Sequence, residues 1–171
     1  MKLVTTPLQD LHDLTRHNVE VKVQEDFKDL GGDTLDKLDV YIAHCDAVVH
    51  LVGYMTGFDP SDLALRALRE RHPDLGERLP PLGQALKDGI RMSYTQWEAW
   101  LALYHGKRLF IAKASDDAER GPNYAPTVAS CAEQSAHLAR LKQVDRHPGC
   151  IFTSPANSPS PSPIPQSSIS W

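Results

Sequence analysis

The sequence predicts one α/β domain built on a small parallel sheet. Three observations carry that reading. Residues 19–23 alternate β-branched and charged side chains, Ala47–Val52 and residues 108–112 are short, nearly continuous apolar runs, and the stretches between them carry helical periodicity. A chain of 171 residues, 41% hydrophobic and 23% charged, has the size and composition of a single globular domain. The domain is expected over residues 1–152 and a disordered Ser/Pro-rich tail over 153–171.

In chain order, Pro7 precedes an expected helix over residues 8–17, and Val19, Val21 and Val23 then mark a strand with one wet face. Gly31 and Gly32 break the chain, and Asp33 or Thr34 can cap a helix whose Leu35, Leu38, Ile42 and Cys45 form one stripe. Asp46 ends it. The run from Ala47 to Gly53 reads as a central strand with helices on both faces. Residues 54–89 read as a long excursion over the strand ends. Asp59 and Pro60 offer a cap and first-turn proline for a helix through Leu63, Ala67 and Leu68, and Pro73, Gly76, Pro80, Pro81 and Gly83 punctuate the rest. Ser93 and Gln96 have capping-box spacing, and Trp97, Trp100, Leu101 and Tyr104 continue a helix that Gly106 stops. A strand over 108–112, a loop over 121–126 and an amphipathic helix over 132–144 follow. The Ser/Pro repeats after Ser154 cannot bury apolar surface and should be solvated and partly polyproline-like.

The net charge of -4 gives no global basic field, so nucleic acid and anionic membrane surfaces are not expected as partners. Cys45, Cys131 and Cys150 are odd in number and lack CxxC pairing, which argues against a disulfide framework and a structural zinc site and fits a reducing cytoplasm. No apolar run has signal-peptide or membrane-spanning length. Neither GxGxxG nor GxxxxGK[ST] occurs, which disfavours a dinucleotide oxidoreductase or P-loop enzyme. The eight histidines contain no HExxH and no close Cys/His cluster, so no metal site is expected.

Four segments carry a family resemblance: Gln24-Glu25-Asp26-Phe27 after a strand, the run from Cys45 to Gly53, the run from Ser93 to Ala99, and Gly106-Lys107-Arg108. In order and spacing they resemble the bacterial TIR-like domains that head larger multidomain proteins, over roughly residues 8–152. The resemblance implies a flavodoxin-like or TIR-like three-layer sandwich. It departs from the family in two places. Only residues 2–6 are available for the first strand, which is short or missing, and the chain turns into Ser/Pro repeats where a final helix and a partner domain would follow.

Active TIR domains cut the bond between nicotinamide and ribose, a step that needs a carboxylate near the anomeric carbon. The resemblance maps that carboxylate onto Glu98, with NAD as substrate and no further cofactor. Glu98 shares a helical face with Tyr94, Leu101 and Ala102, and a first-turn carboxylate complementing the helix dipole is the alternative role. Ser93 either touches a ribose or phosphate or caps the helix; Trp97 either stacks on a base or belongs to the core. Asp26 and Phe27 belong to the loop that in TIR domains gates the site or contacts partners.

Three functions follow as expectations. The first is an NAD glycohydrolase of bacterial defence or signalling, assembled by self-association or with other TIR-like domains. The second is a non-catalytic TIR-like interaction module. The third is an enzyme like the nucleoside deoxyribosyltransferases, which would need a second acidic group to hold the base.

Overall fold

The computed structural model describes residues 34–118, 120 and 124–153. The expected helix at 8–17, the strand at 19–23, Asp26, Phe27 and the Ser/Pro repeats lie outside the described residues. Within them the order is α1 (Thr34–His44), β1 (Ala47–Val52), α2 (Asp62–Arg71), α3 (Leu75–Arg78), α4 (Pro80–Lys87), α5 (Tyr94–Tyr104), β2 (Arg108–Ala114), α6 (Val128–Lys142) and β3 (Cys150–Phe152).

β1, β2 and β3 form a parallel sheet in that order, with Ala47 opposite Arg108 and Ala112 opposite Cys150. Parallel neighbours require a crossover, and α2 to α5 supply the first while α6 supplies the second. α5 is the hub of the core. Its Trp97, Trp100, Leu101 and Ala102 are each at most 1% exposed, and full burial of a large apolar side chain contributes about 1.5–3 kcal/mol. α1 packs on α5 through Leu35, Leu38 and Ile42, the stripe expected from their spacing. Cys45, expected on that stripe, falls beyond the last turn at His44 and is half-buried.

Several boundaries differ from the sequence reading for local reasons. The excursion over residues 54–89 holds three helices. The first of them is capped by Ser61, whose side chain accepts a hydrogen bond from the Ala64 amide, rather than by Asp59. Two successive prolines, Pro80 and Pro81, open α4 at the end of a helix where missing amide donors cost nothing. α6 begins four residues before its expected start at residue 132, because Thr127 and Ser130 form a reciprocal cap. Gly106, at φ 67°, ends α5 in the left-handed region.

Among the described residues β1 is covered on one face, where cover on both was expected. His50 and Val52 are buried, whereas Val49 and Leu51 are 43% and 38% exposed, and Phe110, in register with Val49, is 56% exposed. The strand order explains this. A sheet extended in sequence order by right-handed crossovers carries its crossover helices on one face. The described residues therefore form two layers, helices over a sheet. Among them no helix is long and apolar enough to cross a membrane.

Candidate functional site

α5 runs antiparallel to the strands it joins, so its first turn lies beside their carboxyl ends, where open α/β sheets bind ligands. The start of the helix is tightly determined. Ser93 accepts from the Gln96 amide at 3.4 Å, Gln96 Oε1 accepts from the Ser93 amide at 3.2 Å, and Gln96 Nε2 donates to Gln134 Oε1 of α6 at 3.0 Å. The loop after β1 is tied to the same place: the Tyr94 amide donates to Phe58 O, and Gln134 Nε2 donates to Met55 O. Ser93 is thus a buried cap.

Glu98 follows one turn after Tyr94 on this anchored helix. It is half-buried, and among the described residues it has no hydrogen-bond or ion-pair partner. Loss of water without a compensating charge favours the neutral acid and pushes its pKa up to about 7. A carboxyl group poised there exchanges protons near neutrality, as acid–base and charge-stabilising groups in enzymes do. The rim of the same sheet end carries a polar network. Tyr54 Oη donates to Asp116, and Lys113 lies over the Tyr54 ring at 5.7 Å. The Arg120 guanidinium lies over the Tyr124 ring at 4.7 Å.

Trp97 is 1% exposed and belongs to the core. One edge of it closes a cavity of about 380 Å³ between α2, α4 and α5, with Leu65, Arg69, Leu86 and Arg91 on its walls. Glu98 does not line that cavity. The structure therefore brings Ser93 and Trp97 to the start of α5 with Glu98, but turns Trp97 toward a different space.

Two histidine clusters were not visible in the sequence. On the inner face of β1, His50 Nε2 lies 3.1 Å from His137 Nε2 of α6, both rings at most 1% exposed and the Nδ1 atoms of both unpartnered. Burial depresses both, His50 to about 4 and His137 to about 3, with the neighbouring His50 and Arg140 adding to the shift at His137. The pair is neutral, one ring donating to the other.

The second cluster surrounds Asp39 of α1, which is 2% exposed. His72, just past α2, brings Nε2 to 2.8 Å from Oδ2, and His105, just past α5, brings Nε2 to 2.7 Å from Oδ1. Arg71 donates to Oδ2 at 2.6 Å and also pairs with Asp36. Burial alone would raise the Asp39 pKa, but the hydrogen bonds from His105, His72 and Arg71 outweigh it and hold the carboxyl below its usual value. Asp39, His72 and His105 are also a donor set able to hold a metal ion. A search for local ligand spacing misses them, since 33 residues separate each from the next. The available signal was subtler: both histidines directly follow a helix's last turn.

Compared with protein-family models, curated proteins and solved structures, the chain matches none.

Proposed function

We propose that this chain is a TIR-like domain that cleaves the nicotinamide–ribose bond of NAD, with Glu98 as the catalytic carboxylate and no further cofactor. The observation that carries the reading is a half-buried Glu98 near the start of α5, at the carboxyl end of the parallel strands, with no partner among the described residues. In the proposed step the bond from C1′ to the pyridinium nitrogen breaks and its electron pair leaves with neutral nicotinamide. The ionised Glu98 carboxylate stabilises the positive charge that develops at C1′, or bonds to it transiently. Water then adds at C1′ and gives up its proton. Self-association, or assembly with other TIR-like domains, completes the site.

The test is release of free nicotinamide from NAD by the purified chain at high concentration with a crowding agent, beside Glu98→Ala. Turnover by the parent that rises with pH through about 7, following ionisation of Glu98, and that vanishes in the variant is the expected result. Equal turnover by both proteins would remove Glu98 from the mechanism.

A second reading, a non-catalytic interaction module, is supported by the apolar patch of Val49, Leu51 and Phe110 on the open sheet face. Concentration-dependent self-association that Phe110→Lys abolishes, with no nicotinamide release by the parent, would favour it.

A further inference from the structure

We propose that Asp39, His72 and His105 form a binding site for one divalent transition-metal ion, zinc being the best fit, that fastens α1 to the carboxyl ends of α2 and α5. The three donors come from three separate helical segments, and their ligand atoms lie within 4.8 Å of one another. Two imidazole nitrogens and one carboxylate are borderline ligands of the kind zinc prefers, and they leave a fourth position for water.

Geometry, charge and access agree with such an ion. Zinc bonds of about 2.0–2.1 Å set tetrahedral donor atoms about 3.3 Å apart. The Nε2 atoms of His72 and His105 lie 2.8 and 2.7 Å from different oxygens of the Asp39 carboxyl, Oδ2 and Oδ1, and with the three ligand atoms within 4.8 Å of one another tetrahedral spacing needs side-chain shifts of at most about 1.5 Å. Asp36 and Asp39 together face the single guanidinium of Arg71, so with neutral imidazoles the cluster holds one excess negative charge. The carboxyl ends of α2 and α5, whose dipoles favour cations, meet at the same point. The His72 and His105 side chains are 14% and 17% exposed, enough for an ion to enter, while Asp39 is held from behind. The Tyr104 ring contacts both imidazoles, with centroids 4.6 Å from His72 and 5.2 Å from His105. His105 lies two helical turns beyond Glu98, roughly 10 Å along the axis, so the site is separate from the proposed chemistry.

The experiment uses the full chain, stripped with a chelator and titrated with zinc(II) alone by calorimetry, with cobalt(II) as the spectroscopic probe. One equivalent of zinc per chain, a rise in Tm on loading, and binding at least tenfold weaker in both His72→Ala and His105→Ala are expected, with His147→Ala unchanged. The cobalt complex should show visible bands without thiolate-to-metal charge transfer, a readout that needs no variant to fold. No binding at micromolar zinc would overturn the proposal and leave Asp39 as a hydrogen-bonded latch. Binding undiminished in both histidine variants, or a cobalt thiolate band from Cys45, Cys131 or Cys150, would overturn it equally.

Discussion

Asp39 and Glu98 sit on neighbouring helices, both shielded from water, and are treated in opposite ways. Asp39, the more deeply buried, receives Arg71, His72 and His105 and is held ionised. Glu98 receives no partner among the described residues and its pKa rises to about 7. Burial alone therefore does not decide the state of a carboxyl group; its donors do. The first arrangement stabilises a fold, whereas the second keeps a reactive group available at some cost in stability.

The comparison breaks most severely at Asp39. Asp39→Ala leaves two imidazoles without their acceptor and Arg71 with Asp36 alone, and should destabilise the chain by about 3 kcal/mol, the low end for a broken buried ion pair because Arg71 reaches solvent and keeps Asp36. Urea unfolding at neutral pH measures it, and a loss below about 1 kcal/mol, the scale of a surface pair, would contradict the assignment.

The neutral pair of His50 and His137 sharpens the contrast, since these imidazoles are buried with no carboxylate. Their folded pKa values, about 4 and about 3, lie below the unfolded value near 6.5. The unfolded state thus binds more protons in the interval between. Stability is complete above about pH 6.5 and falls as pH drops toward 4, by up to about 1.4 kcal/mol per pH unit for each group. Between pH 7 and 5 each imidazole should contribute a loss of about 2 kcal/mol, about 4 kcal/mol for the pair, and the double variant His50→Leu/His137→Leu should flatten that slope.

Glu98→Gln should act with the opposite sign to Asp39→Ala. Its folded pKa is raised, so the folded state binds more protons between about 4.5 and 7, and ionisation destabilises the fold as pH rises through that window. At pH 8 the variant should be more stable than the parent by about 1–2 kcal/mol, a figure reduced for partial solvent access, while at pH 4 the two should match. The smallest effect belongs to Ser93→Ala. Loss of the cap should cost about 1 kcal/mol, with nicotinamide release retained if capping is its whole role.

Much of the fold was legible because it is locally encoded. The capping box of Ser93 and Gln96, the stripe of Leu35, Leu38 and Ile42, and the apolar runs that became β1 and β2 all follow from residues within a few positions of each other. The cap at Thr127 was missed because Ser130 replaces the usual acidic or amide partner, and β3, a short terminal strand that the sequence allows for, could not be located because three residues carry too little periodicity to read. Exposure of Val49 and Leu51 was hidden by the same logic: a continuous apolar run does not report which face is covered. For the candidate site, the sequence singled out Glu98, Ser93 and Trp97 at one helix start. It could not join Asp39 to His72 and His105, nor His50 to His137, since those contacts exist only after the helices pack.

The most direct measurement is the titration of Glu98 itself, followed by carbon-13 NMR of labelled glutamate carboxyls and assigned by the signal missing from Glu98→Gln. A midpoint near 7, well separated from the other glutamates, is the expected result. A midpoint within the ordinary range near 4.5 would show a solvated or partnered carboxylate and contradict the poised group on which the proposed chemistry depends.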